Sequence, residues 1–354
     1  MAPNQREITM EPREIVRRCI AFDDPPRIGL HFHVSPIITP SGPRVWPVTD
    51  FASASYGPDP AFQPGPDGRN EWGVKMHSPD PTGENMGESL DPPLGEGWHR
   101  LESYRFPDYH APGRYDGIAE AAAAGHAQGK YVYGHVPSLM LLPINLRGMG
   151  NWLLDHALHQ SELAYLLERI LEARLAAIEQ YAAAGVDGII SYDDMGTDER
   201  GFMRPQVFRQ LYFEPYRRTI DALHEHGMHF LHHCCGQVRE YMDMFVEAGL
   251  DVLQLDQPGL MGIEWLGEQY GGKLCFWNCV DIQRTLPTND PALIQDEAHR
   301  QVWHLGRYGG GFMVKAYQQP NAIGITVEAS QAQYEGFVRV AQYPLIPHPE
   351  PKEG

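Results

Sequence analysis

A repeated pattern of hydrophobic and polar positions fills the second half of the chain. In each repeat a glycine precedes a short apolar run, and polar residues close the run. The repeats are GVDGIISYDD from Gly185, GMHFLHHCCG from Gly227, GLDVLQLDQP from Gly249, GGKLCFWNCVD from Gly271 and GGGFMVKAY from Gly309. Short apolar runs that alternate with helical segments are typical of a parallel sheet, so the pattern predicts repeated strand–helix units.

Helical periodicity is clearest between Ser161 and Gly185, where leucine and isoleucine recur every three or four residues and a glycine ends the segment. A first helix is predicted to begin near Thr9, with Pro12 in its first turn. Another is predicted from Pro205 to about His226, with a kink at Pro215 because proline cannot donate a backbone hydrogen bond.

Two further strand-like runs lie earlier in the chain, RIGLHFHVSP from Arg27 and KYVYGHVPSL from Lys130. With the five later repeats the strand count approaches eight. This favours a (β/α)8 TIM-type barrel over an open doubly wound sheet. No G-x-G-x-x-G follows an early strand and no G-x-x-x-x-G-K-[ST] occurs, so the common nucleotide-binding folds lose support.

An irregular segment interrupts this pattern at about residues 36–115, where proline and glycine recur and aromatic residues are scattered among them. A segment of this length without regular structure is usually functional or a linker, and its aromatic content argues against disorder. We therefore expect one domain covering residues 1–354, with this insertion as an elaborated N-terminal cap over one end of the barrel, containing a small hairpin.

Composition narrows the class of protein. The net charge of −18 disfavours nucleic acid and anionic membrane surfaces as partners. No apolar run approaches the ~20 residues that span a bilayer. The first residues lack the apolar stretch of a secretory signal, so we expect a cytoplasmic protein. The five cysteines are an odd number, which argues against a disulfide framework and leaves buried thiols, a reactive thiol or a metal site.

Polar, titratable residues recur at the C-terminal ends of the predicted strands, where (β/α)8 enzymes place their active sites. Merely hydrated strand ends would give the same pattern, but several histidines and cysteines favour a catalytic site. The residues are His31, His33, His135, Tyr192, Asp193, Asp194, His232, His233, Cys234, Cys235, Asp256, Gln257, Cys279, Asp281, Lys315 and Tyr317.

The sharpest local signal is His233-Cys234-Cys235-Gly236. His233 and Cys235 are two residues apart at a strand end, so both side chains can face the same side. Imidazole and thiolate are ligands that zinc prefers. The alternative is that His233 bonds to backbone and Cys235 simply packs.

The region from Asp187 to Asp256 resembles the uroporphyrinogen decarboxylase superfamily, and the resemblance extends over most of the chain after about Met10. The order of the motifs carries it more than any single one. The similar pieces are Asn70–Met76, Leu146–Glu162, Asp193-Asp194 with Gly196, Pro205, Phe208, Pro215, His233-x-Cys235-Gly236, Gly249-Leu250-Asp251, Val280-Asp281 and Gly309–Phe312.

This resemblance implies one of two activities. The decarboxylases carry an arginine-rich segment after the first strand, whereas this chain has HFHVSPIITPSGPR there, with a single downstream arginine, Arg44. An acidic chain without those arginines is poorly suited to a substrate with many carboxylates. The cobamide-dependent methyltransferases carry His-x-Cys at the strand end and use zinc, which implies His233 and Cys235 as ligands here.

The chain departs from thiol-directed methyltransferases of this branch, which add a second cysteine near the last strand. That region reads VKAYQQPNAIG here. Cys279, Asp193, Asp194 or a residue of the cap remain as candidates to complete the site, and Cys279 is our expected third ligand. Fewer thiolates leave zinc a stronger Lewis acid, which favours an oxygen leaving group such as that of a methoxylated aromatic compound.

We therefore expect a zinc-dependent methyltransferase that moves a methyl group from a small methylated substrate to a corrinoid (cobalamin), carried by a partner protein. Asp193, Asp194 and Tyr192 are the expected catalytic residues, and His31 and His33 are expected to contact the cofactor or shape the pocket. The alternatives are a metal-free decarboxylase or lyase with Asp193 as acid or base, and a non-catalytic binding barrel. The sequence leaves a homodimer open.

Overall fold

Glycine-led apolar runs of the second half form strands, as their pattern predicts. The computed structural model describes residues 10–32, 49–77 and 88–349, together with the backbone of two short strands at 38–39 and 42–43. The strands are β1 Gly29–His31, β2 Ile38–Thr39, β3 Gly42–Pro43, β4 Phe51–Ser53, β5 Lys75–His77, β6 Glu88–Leu90, β7 Tyr131–His135, β8 Gly188–Asp194, β9 His229–Cys235, β10 Val252–Leu255, β11 Cys275–Asn278 and β12 Phe312–Lys315.

Eight of these strands form one sheet in the order β1-β12-β11-β10-β9-β8-β7-β4. The pairings β1–β12, β11–β12, β9–β10, β8–β9 and β7–β8 are parallel. Helices alternate with the strands along the chain. The expected (β/α)8 TIM-type fold class is thereby confirmed.

Helices occupy the segments between the strands. They are α1 Pro12–Ala21, α2 Ile118–His126, α3 Leu141–Arg147, α4 Met149–Leu158, α5 Gln160–Ala183, α6 Pro205–Leu211, α7 Phe213–Glu225, α8 Met242–Ala248, α9 Ile263–Tyr270, α10 Pro291–Gly306 and α11 Val327–Val340. Helix α5 matches the helix expected from Ser161. Helix α1 begins at Pro12, while Thr9 lies outside the described residues. Among the described residues, no helix combines the length and the apolar character that a membrane crossing requires.

The helix expected from Pro205 to His226 is two helices, α6 and α7, which meet at Tyr212. The interruption lies three residues before Pro215. Proline lacks an N–H group, and its ring clashes with the carbonyl four residues earlier, which is that of Leu211. Instead of the predicted kink at Pro215, the helix is broken at Tyr212, directly after Leu211, whose carbonyl cannot accept a hydrogen bond from the proline.

The segment expected to be irregular contains more regular structure than its composition predicts. Strands β5 and β6 form an antiparallel hairpin, as expected, and β2 pairs with β3. Strand β4, Phe51–Ser53, was expected to belong to the irregular segment, but it is one of the eight strands of the main sheet. Three residues are too few for an alternating pattern to be visible in the sequence.

The chain divides into two compact units. The first comprises residues 1–52, 124–132 and 256–354. It contains α1, β1, β11, β12 and the helices α9–α11, with α10 packed against α9 and α11. Phe32, Phe312 and Phe337 are fully or almost fully buried there, and the Phe337 ring contacts those of Phe32 and Phe312.

The second unit comprises residues 53–123 and 133–255 and contains β8, β9, β10 and the helices α3–α8. Arg174 of α5 is fully buried, donating to the carbonyl of Pro137, to Ser191 Oγ on β8 and to Thr219 Oγ1 on α7. These bonds tie the long helix to the strand that carries the candidate site. The single domain expected over residues 1–354 stays a prediction.

Candidate metal centre

Strands β8 and β9 bring three metal-ligating side chains together. The parallel register pairs Tyr192 with His233 and Asp194 with Cys235. Side chains alternate between the two faces of a strand, so these four residues share one face. Each retains some exposure to solvent, whereas Asp193, which alternates with them, is buried.

The ligand atoms of Asp194, His233 and Cys235 all lie within 4.8 Å of one another. The Sγ atom of Cys235 is 3.4 Å from Nε2 of His233. Within the part of the chain that the structure describes, this is the one group of three such side chains with that spacing. A carboxylate, an imidazole and a thiolate suit zinc, and three protein ligands leave a coordination position for a substrate or water.

Gln254 orients the imidazole. It lies opposite His233 in the β9–β10 register, and its Oε1 atom is 2.6 Å from His233 Nδ1. An amide oxygen only accepts, so Nδ1 carries the proton and the lone pair stays on Nε2, the atom beside Cys235. Sequence reasoning missed Gln254, although a buried glutamine inside the apolar run VLQL was the available signal.

Asp193 points to the opposite face and is fully buried. Its carboxylate accepts hydrogen bonds from the backbone N–H groups of Met140 (2.9 Å) and Leu141 (3.1 Å) and from Tyr216 Oη (2.7 Å). Ser138 Oγ also donates to it. The structure therefore places Asp193 as the anchor of the N-terminus of α3, outside the ligand group.

Tyr192 shares the face of the ligand group. Its side chain is 40% exposed, and its ring centroid lies 5.6 Å from that of His233. It can therefore reach a bound molecule.

The remaining expected site residues lie in the first unit or outside the described residues. Cys279 is fully buried, with Sγ 3.4 Å from Asp256 Oδ1, and Lys315 Nζ lies 2.8 Å from the same oxygen. Burial, with Asp256 next in importance, raises the pKa of the Cys279 thiol well above its usual range. His31 Nδ1 is 2.8 Å from Thr49 Oγ1, and His33 falls outside the description.

An aromatic pocket of about 500 Å³ occupies the same unit as the ligand group. Ser138 lines it and also bonds to Asp193, the residue next to Asp194. His135 stacks on Tyr56 with ring centroids 4.6 Å apart, and burial lowers the pKa of His135. The aromatic lining residues are Tyr56, Phe62, Trp72, Tyr109 and His135.

Two residues that line this pocket, Tyr109 and Glu71, both contact Arg114. The guanidinium of Arg114 lies 3.9 Å from the centroid of the Tyr109 ring and pairs with Glu71. The π face of Tyr109 is thus already occupied by a positive charge. The remaining aromatic surface is suited to an uncharged ring.

Gly236 ends the site strand with a positive φ of 86°. A Cβ atom at this position would overlap the carbonyl oxygen of Gly196, which follows β8. Only glycine permits this close approach of the two strand ends.

Comparisons with known proteins agree with this architecture. The sequence profile of the uroporphyrinogen decarboxylase (URO-D) family matches residues 119–275, a span that includes Asp194, His233 and Cys235. A comparison with curated protein sequences gives no match. Residues 119–275 therefore form a URO-D-like region within a TIM-type fold.

Solved structures share the fold. A methyltransferase from Methanosarcina mazei is 16% identical, with 75% of this chain and 74% of that chain covered and a TM-score of 0.57. The 3-keto-D-glucoside 4-epimerase YcjR from E. coli is 13% identical over 63% of this chain and 83% of that chain, at a TM-score of 0.41. The first shows the fold class, and the second is too distant to support an inference.

Proposed function

We propose that this protein is a zinc-dependent methyltransferase that moves a methyl group from a methoxylated aromatic compound to a corrinoid carried by a partner protein. The observation that supports it most is the Asp194–His233–Cys235 group, with Gln254 holding the imidazole. The URO-D match and the methyltransferase that shares the fold support the general class of reaction.

The donor set fits zinc. The three ligand atoms lie close enough to share one ion, and the hydrogen bond to Gln254 leaves His233 Nε2 free to coordinate. Because the group contains a single thiolate, the ion would supply Lewis acidity towards a substrate oxygen. Cys279, the ligand expected from the sequence, is replaced by Asp194 in this proposal.

The chain's own residues would position the substrate. The aromatic pocket would hold the ring, and the lowered pKa of His135 favours a neutral imidazole in its wall at neutral pH. Tyr192 is exposed enough to donate a hydrogen bond to a bound oxygen. Asp193 would act at a distance, by fixing α3 and the loop that carries Ser138.

The pocket favours an aryl methyl ether over a methylammonium compound. Aromatic cages bind quaternary ammonium groups through free π faces. Here the Arg114 guanidinium, paired with Glu71, already stacks on Tyr109, so that contact is not available to a second cation. The corrinoid supplies a strong nucleophile, so the protein's task is to improve the leaving group.

The first test is metal content. Protein purified without chelators should contain one zinc per chain, and His233→Ala, Cys235→Ala and Asp194→Ala should each lower that content while the chain stays folded. Zinc-free wild-type protein would contradict the metal site, and activity without metal would favour the decarboxylase or lyase alternative.

The second test is turnover. Full-length protein is mixed with cob(I)alamin and a panel of aryl methyl ethers, methylamines and methyl thiols, and methylcobalamin formation is followed by absorbance. Ethers should react, with or without a cognate corrinoid protein. If only the methyl thiols or methylamines react, the proposed oxygen leaving group is refuted. If no compound of the panel reacts, methyl transfer is refuted.

A further inference from the structure

The second unit contains another cavity, of about 1010 Å³, which the proposed reaction does not use. It lies where the start of α4 meets Arg69, Gly73 and residues 91–105. The residues 147–151 that line it, Arg-Gly-Met-Gly-Asn, belong to Leu146–Glu162, one of the pieces that resemble the uroporphyrinogen decarboxylase superfamily.

Arginine dominates the charge of this cavity. Arg69, Arg100, Arg105 and Arg147 line it, against two carboxylates, Asp91 and Glu96. Three of these arginines are paired with carboxylates: Arg69 with Asp67 and Asp91, Arg100 with Glu96, and Arg147 with Asp155. Guanidinium groups bind carboxylate and phosphate oxygens through paired hydrogen bonds.

The arginines differ in how fully they are engaged. Arg147 is buried, pairs with Asp155 through two nitrogens and lies under the Trp98 ring at 4.2 Å from its centroid. Arg100 pairs with Glu96 at the surface. Arg105 is exposed and forms no ion pair with any residue that the structure describes.

Helix α4 begins at this cavity. Its N-cap is Gly148, which offers no side-chain oxygen to the first backbone N–H groups. The partial positive charge of a helix N-terminus adds to that of the arginines.

Gly150, in the first turn of α4, borders open space. Its φ is not positive, and a Cβ atom built on it meets nothing within 4 Å, so the fold does not require glycine there. Glycine also weakens a helix relative to alanine. The missing side chain instead keeps the cavity open beside the backbone.

The opposite wall is apolar. Met149 and Leu154 line the cavity with 38% and 58% of their surface exposed, next to Pro92, Pro93 and Tyr104. Exposed methionine and leucine beside arginines suit a molecule that has a charged head and an apolar body.

We propose that this cavity binds an organic anion, with its carboxylate or phosphate head on Arg100, Arg105 and the N-terminus of α4 and its apolar body on Met149 and Leu154. The site is independent of the proposed methyl transfer, and either can fail without the other.

Isothermal titration calorimetry of the full-length protein tests this, with hexyl phosphate, hexanoate, inorganic phosphate and 1-hexanol as probes. Aliphatic probes avoid the aromatic pocket. Hexyl phosphate, hexanoate or both should bind, and which of them binds identifies the head group. The neutral alcohol should not bind. Equal affinity for inorganic phosphate would overturn an organic ligand, and absence of binding by both organic anions would overturn the site.

Variants locate the binding. Arg105→Gln and Gly150→Ala should each weaken the bound probe about tenfold or more, because one loses a charge-assisted hydrogen bond and the other fills the space beside the backbone. Gly150→Ala should not lower the melting temperature, which separates lost binding from lost folding. Arg209→Gln, at an exposed ion pair with Glu247 in the same unit, is the control. Unchanged affinity in both cavity variants would refute the proposal.

Discussion

Asp193 and Asp194 are neighbours in sequence, but the alternation of β8 gives them opposite environments. Asp194 shares a face with His233 and Cys235, while Asp193 is sealed beneath α3. Two aspartates with the same side chain are therefore expected to differ in role: Asp194 in the proposed metal binding and Asp193 in stability.

Substituting the two aspartates separately tests this division. Asp194→Ala should weaken zinc binding and, when both proteins are metal-free, change the free energy of unfolding by less than about 0.5 kcal/mol. Asp193→Ala leaves the hydrogen-bond donors of Met140, Leu141 and Tyr216 without an acceptor. It should therefore lower the free energy of unfolding by about 3–5 kcal/mol. Urea denaturation and zinc competition with a chromophoric chelator measure the two effects. Similar behaviour of both variants would contradict the assignment.

Gln254 is predicted to set zinc affinity without touching the ion. Gln254→Ala releases the His233 ring and should weaken zinc binding about 10–100-fold. Gln254→Glu keeps an acceptor at the same position and should retain most of the affinity. The chelator competition assay decides between them, and an unchanged affinity in Gln254→Ala would refute the orienting role.

At the scale of elements, the ends of β8 and β9 meet through two glycines. Gly236 has a positive φ and also faces Gly196, whereas Gly227, at the start of the same strand region, has a positive φ with open space around it. A comparison of Gly227 with Gly236 therefore distinguishes the cost of a positive φ from the cost of a steric clash.

Alanine at each glycine gives different expected costs. Gly227→Ala should lower the free energy of unfolding by about 1–2 kcal/mol, the cost of a left-handed residue with a side chain. Gly236→Ala adds a backbone collision and should cost at least ~3 kcal/mol and reduce zinc affinity. Equal destabilisation in thermal or chemical unfolding would show that the contact with Gly196 is unimportant.

The elements with long, regular patterns were predictable from the sequence. Helix α5 and strands β7–β12 follow directly from their apolar positions, whereas β4 is too short to show a pattern. The pair His233 and Cys235 was predictable because its spacing matches the strand period. Asp194 remained one of several candidates, because its partnership depends on the register between β8 and β9, which no local pattern encodes.

At the scale of the whole molecule, buried histidines make stability depend on pH. His156 is largely buried, with Nε2 2.9 Å from Tyr212 Oη, and burial lowers its pKa from the ordinary value of 6.5. The folded state therefore binds fewer protons than the unfolded state in this range. The contribution to stability is complete above pH 6.5 and is lost as the pH falls through the folded-state pKa.

Replacement of His156 should make the free energy of unfolding less dependent on pH below about pH 6.5. The free energy of unfolding of wild-type protein should decline as the pH falls below about 6.5, and His156→Leu should show a smaller slope over the same range. Urea denaturation at a series of pH values measures both. The exposed His99→Gln variant should retain the wild-type slope, and an identical slope in His156→Leu would contradict the prediction.

The run His232-His233-Cys234-Cys235 contains the spacing His-x-Cys twice, in interleaved frames. His233 and Cys235 face Asp194, while His232 and Cys234 are buried. The His232 ring contacts those of Tyr216, Phe230 and Phe245. A slip of β9 by a single residue would exchange the two frames and still present a histidine and a cysteine to the open side, but it would turn the aromatic face of Phe230 outward with them. Strand β9 thus contains a second His-x-Cys pair, His232 and Cys234. The register of β9 with β8 and β10 keeps this pair on the buried face.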